Sequence, residues 1–314
     1  MTGMPAIAVY AIMRNEEPHV ERWARSVQHA DYVVVLDTGS SDGTIEALVD
    51  LDIEVHCAAF RPFRFDDALN AALALVPEDI DVVMRLDADE TITDGWHTAI
   101  GEAYDPRICR YRTHVVNHGP GWGEMWRSYI HARHGLRWRY PTHELLVGPT
   151  AFVDIDATVH HWPIEGPKPH YGTDLQTLTD AVAEYPGDER MAFYFARQLF
   201  YAGRYPECRA EMMRFLSFAT WEPDRCEAFR ILAAIDDDPE RWLWKAVGEL
   251  PARREPWCDL TRLYIAQGDL SAAGSTYRLA ARRIDRTLYW TQPDCWDEAF
   301  EALAADAGLR AGGI

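Results

Sequence analysis

Apolar and polar positions alternate in long blocks along the first hundred residues. Residues 6–13 (AIAVYAIM) are an unbroken apolar run, the pattern of a strand covered on both faces. Arg14-Asn15-Glu16-Glu17-Pro18 then opens a helical periodicity through Trp23, Val27 and Ala30, with Pro18 suited to a first turn. A second strand is predicted at 32–36, ending in Asp37-Thr38-Gly39-Ser40-Ser41-Asp42-Gly43-Thr44, a turn of glycines and capping residues before a helix at 45–49. A strand at 53–58, an alanine-rich helix at 66–76 and a strand at 82–86 follow. Strand and helix alternating with short connections predict an α/β, Rossmann-like, mostly parallel sheet.

The pattern changes near Arg107. Short alternating runs rich in His, Trp and Arg read as strands and loops laid over one end of the sheet, and Pro163, Pro167 and Pro169 mark a boundary. Residues 1–165 are thus expected to form the α/β domain and residues 166–314 an all-α domain. Within the latter, the segments ending Ala202-Gly203, Ile235-Asp236 and Gln267-Gly268 superpose, each followed by a second helical pattern. That period is close to the roughly 34 residues of tetratricopeptide repeats, with the middle copy degenerate. Phe229, Trp242, Trp244 and Trp257 read as packing residues of this solenoid.

The chemistry concentrates at Arg85-Leu86-Asp87-Ala88-Asp89-Glu90, where an apolar strand ends in three acids. Ligands of open α/β sheets bind beyond the carboxyl ends of the strands. If the strand continues, Asp87 and Asp89 face the same way and suit a hard divalent cation. Asp94 is read as the cap of a helix over 95–104.

Composition narrows the partners. A net charge of −19 repels polyanions overall, although Arg127, Arg133, Arg137 and Arg139 form a local basic stretch able to meet a diphosphate or an anionic acceptor. The six cysteines lack any paired spacing, and the N-terminus lacks the basic region of a signal peptide, so reduced thiols and a cytoplasmic protein are expected. No apolar run approaches the roughly 20 residues of a membrane span.

Four stretches at this order and spacing, AIMRNEE, VVVLDTGSSDGT, FRFDDALNAAL and RLDADE, resemble glycosyltransferase family 2 enzymes with a GT-A fold. Over most of its length the chain also resembles the bacterial or phage-type subgroup in which tetratricopeptide repeats follow the catalytic domain. The marks there are Thr142-His143-Glu144, Lys168-Pro169-His170-Tyr171-Gly172 and AFYFARQLFYAGRYPEC. The resemblance implies transfer of a sugar, with inversion, from a nucleotide sugar, uridine diphosphate sugars first, to an acceptor hydroxyl. It implies Mn²⁺ or Mg²⁺ held by Asp87, Asp89 and His143, with Asp89 the more direct ligand and Glu144 the general base. It places Arg14, Glu16 (or Glu17), Asp37, Ser40, Asn70, Arg85 and Asp87 around the nucleotide sugar. His160 and His161 are further candidates for a metal shell, weighed against packing beneath Trp162.

Two departures bear on these roles. Leu69 stands where relatives commonly carry a basic residue, so one donor contact is either missing or supplied by Arg61 or Arg64, and Tyr140-Pro141-Thr142 replaces the usual glycine-containing strand before Glu144. The expected acceptor is a protein or a saccharide, met by the helical domain, which is alternatively a surface for a second copy of the chain. Two other functions compete: glycosylation of a modified nucleobase in DNA, with residues 122–140 as footprint, and a non-catalytic peptide-binding scaffold.

Overall fold

The computed structural model describes residues 4–119, 124–163, 175–283 and 291–309. The chain forms two compact units, one of Met1–Pro120 and Glu124–Thr173, the other beginning at Asp174. The junction expected at 165/166, and the Lys168–Gly172 segment, lie outside the described residues.

The first unit opens as predicted: β1 (Ile7–Met13), α1 (Glu17–Val27), β2 (Tyr32–Asp37), α2 (Thr44–Asp50), β3 (Glu54–Cys57), α3 (Phe65–Leu75) and β4 (Val82–Arg85). It continues through β5 (Glu90–Ile92), α4 (Trp96–Ala103), β6 (Arg110–Asn117), β7 (Glu124–Ala132), β8 (Arg137–Arg139), β9 (Leu145–Val147) and β10 (Phe152–His161). Eight strands make one sheet in the order β3-β2-β1-β4-β7-β6-β10-β5, with β8 and β9 as a separate pair. The first four are mutually parallel, β7 runs antiparallel to both its neighbours, β10 is parallel to β6, and β5 is antiparallel to β10. This is the Rossmann-like, mostly parallel sheet of the GT-A fold.

The connection from β4 to β5 shapes the sheet. Those strands lie four places apart in the order, yet only residues 86–89 join them. A chain of that length reaches about 17 Å at full extension. The sheet therefore curls until its last strand returns to the end of β4, and Asp87 and Asp89 occupy the seam.

The core below the seam is apolar but carries one polar relay. Tyr10, on β1, accepts from Trp138 Nε1 at 2.7 Å, and its hydroxyl lies 3.1 Å from His131 Nε2. His131 Nδ1 is 2.8 Å from the Ala132 carbonyl, which only accepts, so Nδ1 carries the proton and Nε2 receives the Tyr10 hydroxyl. Burial pushes the His131 pKa down to about 4 and keeps the ring neutral. Helix α4 differs from expectation: Gly95, in left-handed conformation at φ 82°, is its N-cap, and no side chain caps it, so Asp94 does not.

The second unit is helical throughout its described part: α5 (Leu175–Glu184), α6 (Glu189–Tyr201), α7 (Tyr205–Leu216), α8 (Glu222–Ile235), α9 (Pro239–Glu249), α10 (Glu255–Gln267), α11 (Leu270–Ala281), a 3₁₀ turn at Pro293–Cys295 and α12 (Glu298–Asp306). The three superposable segments end α6, α8 and α10, and the partner helices α7, α9 and α11 follow each turn. Gly203 and Gly268 close their turns at φ 71° and 77°. Asp236 closes the middle one with extended backbone, accepting from the Asp238 amide and from Arg209 and Arg241. The middle turn leaves its helix through extended backbone where the other two pass through a left-handed glycine. Trp242 and Trp257 are buried and Phe229 stacks on Trp242 at 6.1 Å, whereas Trp244 is 44% exposed. Among the described residues no helix is long and apolar enough to cross a membrane.

Candidate active site

The strand β4 ends one residue before Leu86, so the acids sit in a turn and the strand alternation expected to align Asp87 with Asp89 does not reach them. Each acid instead has its own partner. Asp87 accepts from Arg85 through both oxygens, Nε to Oδ1 and Nη2 to Oδ2, each at 2.9 Å. Glu90 is 2% exposed and grips Arg127 at 2.5 and 2.6 Å, while Oε2 also accepts from the Asp87 amide. Glu90 is thus a buttress of the turn. The Leu86 carbonyl accepts from Trp23 Nε1 and the Asp89 carbonyl from the Trp162 amide, which ties α1 and the end of β10 to the same four residues.

Asp89 meets His161. Asp89 Oδ2 is 3.3 Å from His161 Nε2, and His161 Nδ1 is 2.9 Å from Asn117 Oδ1. The Asn117 amide is oriented by Gly119, whose N–H donates to that same Oδ1 and whose carbonyl accepts from Nδ2. His161 therefore donates from Nδ1, leaving the lone pair of Nε2 aimed at a carboxylate. Something positive belongs between them, a proton or a metal ion. Burial works against protonation, but the bond to Asp89 prevails and the His161 pKa is raised. Two donor atoms of this type, about 3 Å apart and with the imidazole oriented by an amide, fit a divalent cation. Among the described residues no three His, Cys, Asp or Glu side chains converge as a ready cage, so Asp87, Asp89 and His143 do not form one. A cation held here would need its remaining ligands from water or from a bound phosphate.

Glu144 lies in the connection from β8 to β9. Arg85 Nη1 bonds its Oε1 at 2.5 Å, and the Arg85 guanidinium also faces the rings of Tyr129 and Trp138, at 4.7 and 4.9 Å from their centroids. The loop is held in an uncommon shape: Tyr140 and His143 have φ of 85° and 50°, and the Pro141 carbonyl accepts from the Phe65 amide. His143 is half-buried in this loop.

The other predicted residues form a second cluster at the ends of β1 and β2. Asp37 is 1% exposed and accepts from the Gly39 and Ser40 amides and from the Ser40 hydroxyl, so its carboxylate shapes the β2–α2 turn. That turn is laced to residues 15–17. Ser40 Oγ accepts from the Asn15 amide, Asn15 Oδ1 from the Ser41 amide, Thr44 Oγ1 from the Glu16 amide and Glu17 Oε2 from the Gly43 amide. A Cβ on Gly43 would lie 2.7 Å from Glu17 Cδ, so a side chain there would push the Glu17 carboxylate off the Gly43 amide. Arg14 and Glu16 are half-buried beside it. Asn70 is committed to the fold: its amide exchanges two hydrogen bonds of 2.9 Å with the Trp138 backbone. Leu69 is fully buried, and Arg64 pairs with Asp66 at 3.0 Å, while Arg61 is exposed. In the basic stretch, Arg127 serves Glu90, Arg133 bonds the Val76 carbonyl and Trp138 is buried, leaving Trp126 and Arg137 outside.

The sequence offered no signal for Tyr129 or Asn117. Both are ordinary strand residues, and only the curl of the sheet brings them to Asp87 and Asp89.

Residues 9–157, just under half of the chain, match the family model of glycosyl transferase family 2. The first unit is a glycosyltransferase domain, and the match stops short of the helical unit. No curated protein matches the chain significantly. Among solved structures, the chain is similar to a mycobacterial protein at 16% identity and TM-score 0.39, over 57% of this chain and 74% of that one. It is also similar to glucosyl-3-phosphoglycerate synthase from Mycobacterium tuberculosis. The complex with Mn²⁺, UDP-glucose and phosphoglyceric acid matches at 22% identity and TM-score 0.30, over 37% of this chain and 45% of that one. The UDP complex matches at 22% identity and TM-score 0.29, with the same coverage. The chain spans less than half the length of the synthase chains. At these values the likeness is to a part of those structures and carries no function across.

Proposed function

We propose that this protein moves a sugar from a nucleotide sugar, a uridine diphosphate sugar first among them, to a hydroxyl of a protein or saccharide acceptor. The observation that supports this best is the Asp89–His161 pair, two metal-type donors facing across 3.3 Å at the seam of a domain matching a glycosyltransferase family. A Mn²⁺ or Mg²⁺ ion held there by Asp89 and His161 would supply charge neutralisation for the departing diphosphate. The laced loops 14–17 and 37–44 would seat the nucleotide, with Asp37 acting through the turn it holds. Arg85 orients Glu144 by one oxygen, and Oε2 remains to take the proton of the acceptor hydroxyl, which is the geometry a general base needs. Loss of the sugar to an acceptor on the face opposite the leaving group inverts the anomeric centre.

The helix pairs α6/α7, α8/α9 and α10/α11 are read as tetratricopeptide-like repeats that hold the acceptor. Nucleobase glycosylation is the weaker reading, because Arg127 and Trp138 of its footprint are turned inward. The test is thermal stabilisation by a panel of nucleoside diphosphate sugars, with and without Mn²⁺, in wild type and Asp89→Ala. A metal-dependent shift lost in the variant is the expected result. Absence of any shift in the wild type would return the scaffold reading to the front.

A further inference from the structure

Among the described residues, the charged groups of the seam are paired inside the chain. The ring of Tyr129, on β7, lies between two guanidinia, with Arg127 Cζ 4.2 Å and Arg85 Cζ 4.7 Å from its centroid, and it meets Trp138 edge-on at 5.0 Å. Arg85 is committed to Asp87 and Glu144, and Arg127 to Glu90. The Tyr129 hydroxyl has no hydrogen-bond partner among the described residues. Its side chain is half-buried, so the seam is open to it. Burial raises the pKa of this phenol, Arg85 and Arg127 lower it, and Glu144 and Asp87 raise it; the net shift is upward, so the hydroxyl keeps its proton.

Three ring contacts hold the side chain still, which leaves little rotamer freedom to lose when a ligand arrives. A fixed donor that pairs with no described group of the chain and is reached by solvent, set among the groups proposed to meet the donor substrate, can exchange water for a ligand oxygen at little cost. We propose that Tyr129 is a substrate-contacting residue whose hydroxyl donates a hydrogen bond to an oxygen of the bound nucleotide sugar, on its diphosphate or on the transferred sugar. This rests on the nucleotide-sugar reading above.

The experiment is calorimetric titration of the full chain, in Mn²⁺, with UDP-glucose, ADP-glucose, GDP-mannose and dTDP-glucose. The tightest binder and its free diphosphate are then titrated into Tyr129→Phe, which keeps the ring and its three contacts. We expect binding of the nucleotide sugar to weaken about fivefold, the loss of one hydrogen bond, with the melting temperature of the unliganded protein unchanged. If the free diphosphate weakens equally, the contact is on the diphosphate. If only the nucleotide sugar weakens, it is on the sugar, and either result supports the assignment. Unchanged affinity for both ligands overturns the role of Tyr129 and leaves the donor reading standing, and weaker binding with a lower unliganded melting temperature overturns it too. If the wild type binds none of the four, both fall together.

Discussion

Arg85 and Glu144, 59 residues apart in sequence, share a hydrogen bond of 2.5 Å, while the same guanidinium holds Asp87 with its other nitrogens. One buried cation thus joins the end of β4 to the β8–β9 connection. The side chain of Arg85 is 5% exposed, and its two carboxylates keep its pKa well above the usual arginine value against the cost of burial.

Removing that cation leaves Asp87 and the more deeply buried Glu144 without their shared partner. Arg85→Met is expected to cost about 3 kcal/mol or more, the usual penalty for breaking a buried pair from one side, and Arg85→Lys less because the charge stays. Urea unfolding followed in the first unit measures it; a cost below about 1 kcal/mol would show that the pair does not hold the loop.

Asp89, His161 and Asn117 are expected to fail in a graded series. Asp89→Asn and His161→Ala should abolish the Mn²⁺-dependent part of nucleotide-induced stabilisation, and Asn117→Ala should weaken apparent Mn²⁺ affinity by about tenfold, because it orients the imidazole without touching the ion. Equal metal dependence in His161→Ala and wild type would move the cation elsewhere.

His131 makes the first unit sensitive to mild acid. Its folded pKa, about 4, lies below the ordinary 6.5, so its neutral form contributes full stability above pH 6.5. As pH falls toward 4 the unfolded chain takes up a proton that the folded one refuses, and stability drops by up to about 1.4 kcal/mol per pH unit. His131→Gln, which keeps an acceptor for Tyr10, should flatten the stability profile between pH 6.5 and 4. A parallel profile in the two proteins would refute this.

Glu227 gives the helical unit the opposite dependence on ionisation. Burial pushes its pKa up, but Arg230 and Arg253 outweigh it and hold the folded value at about 2, below the ordinary 4.5. That stability is present above pH 4.5 and is lost as pH falls toward 2. Glu227→Gln is expected to cost about 3 kcal/mol at pH 7 and almost nothing at pH 2, read from guanidinium unfolding at the two pH values.

Gly248 sits exposed in the last turn of α9, where an added Cβ would meet nothing within 4 Å. Gly248→Ala should therefore stabilise the helical unit by roughly 0.5 kcal/mol, through the lower backbone entropy of the unfolded chain. A lower melting temperature in the variant would contradict it.

Much of this was legible from local patterning. Buried parallel strands are continuous apolar runs, so 6–13, 32–36 and 82–86 identified β1, β2 and β4 to within a residue, and the helices between them followed from periodicity and turn chemistry. The helix pairs of the second unit were legible for the same reason, with left-handed glycines closing two of the three turns, at Gly203 and Gly268. The antiparallel half of the sheet was not legible. Strands β7 and β10 are paired by register with β4 and β6, tens of residues away, and no local signal carries that information.

The sequence by itself therefore determined the two classes of architecture and the place of the acidic turn, because periodicity and capping act over a few residues. Which acid does what was decided by tertiary structure. The four-residue link from β4 to β5 forces the sheet to curl, and that curl sets Arg85 on Asp87 and Glu144, Arg127 on Glu90 and His161 on Asp89. Charges so close in a poorly solvated seam are governed by the nearest opposite charge or oriented dipole, and those neighbours come from strands that only the fold brings together.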